Sequence, residues 1–421
     1  MTIAVEQTEI NLLSQQINEL KSKLQQMEQQ LNQLQQSPPP QTKINPSSTL
    51  PPATQASTPP PSEDIAPQPS ATEPEASLEI GGAFTANYTY DGSNKNHRET
   101  KGDLSFSYVR LGIKGQYDNI LFDAQYRWYD YMDIVHHAWI GYQFNDEWQT
   151  QLGITQTPFG IMPYTSHNYW EGVDFYMGLE DLDMGIKAIY DNAPWNLQLA
   201  FFKNEDYSSS SNLDRYSFDI VTTDDQANKE ANQFNTRLTY TLDHGNDNSS
   251  EFGLSGQIGQ LYNTTTQDSG HHWAVGLHWE GNYNGWNPQF QLAHYKYAPK
   301  NPEGVSDDIV MIGAYGGAFP KSAEGTVLIA NIAKDFNVNW GKLKKLTCYN
   351  DYSVLFKKPE NHHDSHLNTL GCSFGIGPVY TYVDFIAGKN MFYLGDSNGL
   401  GAGQADADWE TRFNINIGYY F

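Results

Sequence analysis

The sequence predicts an all-β fold, a 16-stranded antiparallel transmembrane β-barrel with an N-terminal α-helical coiled coil. Three observations predict it. In Arg412 to Phe421, the residues Phe413, Ile415, Ile417, Tyr419 and Phe421 occupy every second position. Arg412, Asn414, Asn416 and Gly418 lie between them. A period of two sends the two sets to opposite faces of a strand. An apolar face edged by aromatics suits a strand set between lipid and a wet lumen. From Leu78 onward, short alternating runs of this kind are joined by connections that are short and long in turn. Near the start, Ile10, Leu13, Ile17, Leu20, Leu24, Met27, Leu31 and Leu34 keep a 3-4 spacing without a break, the seam of a coiled coil.

In chain order, residues 1–36 form the coiled-coil oligomerisation segment, and a coiled coil implies a homo-oligomer. Residues 37–77 form a linker. Twelve of the 21 prolines lie there, among Ser, Thr, Gln and Glu. Such a composition cannot bury a core. Extended at about 3.1 Å per residue, the linker reaches on the order of 100 Å.

Residues 78–421 form the barrel. Strands are expected to begin near Ile80, Asp103, Ile120, Val135, Trp148, Asp183, Asn196, Asn232, Glu251, His271, Trp286, Ile309, Glu324, Leu346, Leu367, Val379 and Thr411. Short connections include Asn145-Asp146-Glu147 and Gly375-Ile376-Gly377-Pro378. Long ones include Asp91–Gly102, Pro158–Leu182 and Met391–Trp409. A barrel with both ends on one side needs an even count. Only one strand fits between the long connection at Tyr297–Asp307 and the turn at Asn337–Lys344. Glu324–Ala333 takes that place, and Ile309–Gly317 joins the preceding loop. Sixteen strands enclose an aqueous channel rather than a filled core.

Composition agrees. A net charge of −24 excludes nucleic acid as a partner. No run of apolar residues is long enough for a membrane-spanning helix. The 27 Tyr and 10 Trp supply the aromatics that anchor a barrel at both membrane surfaces.

Four features together resemble the phosphate-selective porin O/P superfamily, and its DcaP-like porins most of all. They are the heptad Ile10–Leu34, Thr157-Pro158-Phe159-Gly160 opening a long third loop, Tyr349-Asn350-Asp351-Tyr352-Ser353, and the terminal Phe421. The resemblance implies a trimeric outer-membrane porin of a Gram-negative bacterium, with the coiled coil in the periplasm. Its partners would be a second and third copy, outer-membrane lipid and lipopolysaccharide, small hydrophilic solutes, and peptidoglycan. A terminal aromatic would be the assembly signal. Met1-Thr-Ile-Ala has no basic and apolar leader, so a mature form is expected.

Strand parity then assigns the lumen, because a basic side chain facing mid-membrane lipid costs about 2–4 kcal/mol. Val109, Leu111 and Ile113 outward leave Tyr108, Arg110 and Lys114 inward. Phe122, Ala124, Tyr126 and Trp128 outward leave Asp123, Gln125 and Arg127 inward. Lys187, Arg237 and Arg412 point inward by the same argument. Rings of Arg and Lys favour anions, and Arg can grip a carboxylate with two bonds. This points to small organic anions such as dicarboxylates. In the other reading of these cations, they pair with lumen acids such as Asp123 and Asp384 and only pack the wall.

The third loop is expected to fold inward as a constriction carrying Tyr164, Tyr169, Trp170, Glu171, Asp174 and Tyr176. Aromatic walls stack on sugar rings, so a sugar or oligosaccharide channel is the alternative. The pairs His136-His137, His271-His272 and His362-His363 make poor chelates, because adjacent strand residues face opposite ways. His362, His363 and His366 with Asp364 share one loop, where a metal site is the alternative to a solvated loop. No phosphate-binding glycine loop, nucleophile elbow or paired-Cys motif is present. No catalytic residue, metal or cofactor is assigned. Cys348 and Cys372 lie on neighbouring strands in an oxidising compartment, which permits a cross-strand disulfide.

Overall fold

The computed structural model describes residues 76–224, 226–395 and 397–421. The expected coiled coil and nearly all of the expected linker lie outside the described residues. The strands are β1 (Ala76–Asp91), β2 (Asp103–Tyr117), β3 (Ile120–Trp128), β4 (Asp133–Gln143), β5 (Trp148–Gln156), β6 (Leu182–Asn192) and β7 (Trp195–Glu205). Then come β8 (Asp219–Ile220), β9 (Asn228–Gly245), β10 (Asn248–Asn263), β11 (Ser269–Asn282), β12 (Trp286–Ala298), β13 (Ile309–Ala314) and β14 (Gly317–Ser322). The last five are β15 (Glu324–Trp340), β16 (Leu343–Lys357), β17 (Ser365–Ile376), β18 (Val379–Lys389) and β19 (Glu410–Tyr420).

Sixteen of these close an antiparallel barrel, with β8, β13 and β14 left out of the ring. β1 pairs with β19 from Ala83↔Tyr420 to Asp91↔Arg412, and Gly82 and Phe421 exchange backbone hydrogen bonds at the end of that seam. Alternation fixes the faces as parity predicts. Ile417 and Tyr419 are exposed on the outside, while Asn414 and Asn416 are fully buried inside. Cys348 and Cys372 are direct partners on β16 and β17 and form a disulfide.

Two expectations are corrected. Ile309–Gly317 is more than a loop. It enters a hairpin of β13 and β14 whose free edge takes up β8, giving a three-stranded sheet separate from the barrel ring. Its alternation was real, because Val310, Ile312 and Ala314 are all fully buried. The barrel also has a partly filled interior. Val173, Phe175, Met177, Phe218, Ile220, Ile312, Met391 and Leu400 share one apolar cluster with wall residues such as Ala293, Tyr295 and Ile329. Long connections thus fold inward and bury one another, and the open space lies to one side of them.

Candidate functional site

That space is a cavity of about 1120 Å³. Gly377, Pro378 and Val379 line it at the short-turn end, and His97, Asp130 and Tyr131 line it at the long-loop end. It therefore follows the height of the barrel along β1–β3, β18 and β19.

Three predicted cations meet in it, Arg110, Arg127 and Arg412. Arg110 and Arg127 sit directly opposite each other on β2 and β3. Like charges at directly opposed positions destabilise a sheet. Among the described residues neither makes an ion pair. Arg127 Nε donates to Gln125 Oε1 at 2.7 Å, and its guanidinium lies 4.6 Å from the Tyr216 ring and 5.2 Å from the Tyr108 ring. Arg110 lies 5.3 Å from the Tyr420 ring. Arg412 is the paired member. Its Nη2 donates to Asp91 Oδ2 at 3.0 Å, and its guanidinium stacks 4.9 Å from the Trp170 ring.

The other predicted cations lie elsewhere. Lys187 and Asp123 line a second cavity of about 270 Å³, where Lys187 Nζ donates to Gln156 O at 2.9 Å. Arg237 ties the third loop down, donating to Gly160 O at 2.6 Å and to Glu251 Oε1 at 2.6 Å. Lys114 is exposed and does not line the large cavity. The acids expected as Arg partners have other partners. Asp123 Oδ1 is 3.1 Å from His137 Nε2, and Asp384 accepts from the Tyr349 hydroxyl at 2.6 Å.

The connection between β5 and β6 crosses the lumen to the far wall. Gly160 N donates to Ser255 Oγ on β10 at 3.0 Å, and Ile161 N to Gln291 Oε1 on β12 at 2.9 Å. Further along, Asp351 on β16 accepts from His167 N (2.7 Å), Asn168 N (3.1 Å) and Asn168 Nδ2 (2.9 Å), and its Oδ1 faces His167 Nδ1 at 2.7 Å. Val173 N donates to Ser353 Oγ at 3.1 Å. Burial alone would lower the His167 pKa, but the hydrogen bond and charge of Asp351 outweigh it and raise it. Gly160 has a φ of +61°, and a Cβ there would clash with Gln291 Oε1. Glycine suits both the backbone and the close approach.

Of the predicted constriction residues, Tyr164, Tyr169, Trp170, Glu171 and Tyr176 line the large cavity. Asp174 does not. It is buried behind them, accepting from Thr165 Oγ1 and from Gln291 Nε2. Burial pushes the Glu171 carboxyl up to about 8, with the Asp174 charge adding to the rise and the Ser166 hydrogen bond opposing it. Burial likewise pushes Asp174 up to about 6 against the Thr165 hydrogen bond. At neutral pH the carboxyl of Glu171 is largely protonated and presents little negative charge to the cavity.

Two features escaped the sequence. His136 is a β-bulge, since Gln125 pairs with His137 and Tyr126 with Val135. A bulge breaks the alternation. It brings both imidazoles together, Nδ1 to Nδ1 at 2.9 Å, so the opposite-face argument fails for this pair. The loop anchors Ser255, Gln291, Asp351 and Ser353 were not singled out as site residues, although two of them lie in the segment Tyr349–Ser353.

The phosphate-selective porin O and P family matches this chain over residues 78–278. Among solved structures, an anion-selective porin from Comamonas acidovorans aligns with a TM-score of 0.53 at 14% identity, covering 82% of this chain and 100% of that one. The outer membrane channel DcaP of Acinetobacter baumannii aligns at 0.52 and 11% identity, covering 82% and 97%. The trimer form of OmpT from Vibrio cholerae aligns at 0.52 and 12% identity, covering 82% and 99%. No curated protein matches.

Proposed function

We propose that this chain, whose residues 78–278 match the phosphate-selective porin O and P family, is a trimeric diffusion channel preferring small organic anions such as dicarboxylates. Family and fold are those of an outer-membrane porin of Gram-negative bacteria, a channel rather than an enzyme. The observation that carries the anion preference is the opposed pair Arg110 and Arg127, which has no carboxylate partner among the described residues. The like-charge opposition of the two guanidinium groups offsets what their contacts with Tyr108, Tyr216 and Tyr420 contribute to the wall. A solute carboxylate entering between them would bind both and relieve their repulsion. The protonated state of Glu171 supports the same sign of selectivity.

A homotrimer is proposed on the likeness to the trimeric form of OmpT and on the heptad Ile10–Leu34. Residues 1–36 would lie in the periplasm on the Pro-rich tether and reach toward peptidoglycan. The aromatic lining, including Tyr108, Trp170, Tyr382 and Tyr393, favours a sugar channel as the second reading. Single-channel recording under a salt gradient tests the two. An anion-selective reversal potential with current block by succinate supports the first. A cation-selective channel blocked by a disaccharide supports the second and overturns the first.

A further inference from the structure

Where the third loop rejoins the wall, three carboxylates from three segments converge. Asp181 ends the loop, Asp183 opens β6, and Asp219 lies in β8. One oxygen from each lies within 4.8 Å of the others. That spacing fits oxygens around one hard cation, whose bonds to calcium are about 2.3–2.6 Å long. All three residues are at least 95% buried, with exposures of 5%, 2% and 1%.

A second observation comes from outside the trio. Glu205 on β7 is directly opposite Asp183 in the β6–β7 register, so both side chains leave the same face. Glu205 is 1% exposed, and neither of its carboxylate oxygens has a hydrogen-bond donor. Asp183 Oδ1 and Asp219 Oδ1 have none either. Such orphaned, buried acceptors are costly unless something positive faces them.

The protein's own cations do not suffice. Arg215 Nη1 takes Asp219 Oδ2 at 3.0 Å and Asp206 Oδ1 at 3.3 Å. Lys321 is buried nearby, but its Nζ donates to Met177 O at 2.6 Å. Against these two stand six buried carboxylates, Asp181, Asp183, Glu205, Asp206, Asp219 and Glu230.

We infer that Asp181, Asp183 and Asp219, with Glu205 beside them, bind a divalent hard cation, calcium in the first instance. An all-oxygen, carboxylate-rich and irregular donor set suits calcium better than magnesium, which demands a near-ideal octahedron. The ion would join the end of the constriction loop to β6 and to the three-stranded sheet, holding the loop where it re-enters the wall, beyond its Asp351 anchor.

The test uses the full chain purified in detergent, stripped with EDTA and titrated calorimetrically with calcium chloride, then with magnesium chloride. The expected result is about one calcium per chain with a Kd of roughly 10⁻⁶–10⁻³ M and weaker magnesium binding. The double variant Asp183→Asn, Asp219→Asn should weaken calcium by at least about tenfold. The absence of calcium binding to the wild-type chain overturns the inference, and so does unchanged affinity in the double variant. If that variant does not fold, Glu205→Gln provides the same comparison with one donor altered. These readouts involve no solute and no conductance, so they stand apart from the anion-selectivity reading.

Discussion

Replacing Arg127 with Gln separates a filter from a packed wall. The guanidinium carries charge into the cavity beside Arg110, whereas Gln keeps a polar chain of moderate length without charge. An ion passing roughly 6 Å away feels about 0.7 kcal/mol at the dielectric of water and about 2.8 kcal/mol at an effective value of 20. The lower figure changes anion occupancy about threefold and cation occupancy about threefold the other way, so the permeability ratio moves about tenfold. On stability, two effects oppose. Loss of the contacts with Tyr108 and Tyr216 costs about 0.5–2 kcal/mol. Relief of the like-charge opposition with Arg110 returns a similar amount. Thermal unfolding should therefore change little, while the reversal potential under a salt gradient moves clearly toward cation preference. An unchanged reversal potential, with a marked loss of stability, would refute the filter and make Arg127 a packing residue.

Three further outcomes are expected. Glu171 is neutral below its raised value of about 8 and ionises above it. Anion preference should thus be stronger at low pH and fall as pH rises through about 8, while the stability tied to the raised carboxyl is fully present below its ordinary value of 4.5 and is lost progressively between there and about 8. Reversal potentials recorded across that range should flatten in Glu171→Gln. Asp351→Ala removes the acceptor shared by His167 and Asn168 and should cost loop docking about 3–5 kcal/mol. Single-channel records should show higher conductance and more noise, and unchanged records would contradict the anchoring. Gly160→Ala places a Cβ against Gln291 in a left-handed backbone, at a backbone cost of about 1–2 kcal/mol. A lower unfolding temperature checks it.

The barrel was legible because lipid and water impose a period of two on every strand, so Arg110, Arg127 and Arg412 could be assigned inward from their neighbours alone. What faces what inside was not legible. Arg237 looks identical to Arg127 in sequence, yet one holds Gly160 and Glu251 while the other bonds Gln125 and makes no ion pair among the described residues. That difference depends on a loop docking 77 residues away in sequence. His136 defeated parity because one extra residue resets the alternation locally. The hairpin of β13 and β14 reads like a wall strand because burial against other loops imposes the same periodicity as burial in a barrel. Asp351 gave no local sign, since its partners His167 and Asn168 lie more than 180 residues earlier.

The third loop is docked mainly on β10, β12, β15 and β16, with one further bond from Tyr169 to Ser107 on β2, whereas the opposed arginines stand on β2 and β3. Support and filter thus occupy separate arcs of one ring. Apart from Ser107, which bonds Tyr169, side chains along β2 and β3 can be exchanged to suit a different solute without disturbing the bonds that hold the loop across the barrel. A lineage, or a designer, can therefore retune this pore by substitutions confined to a short stretch of chain, with the rest serving as an inherited frame.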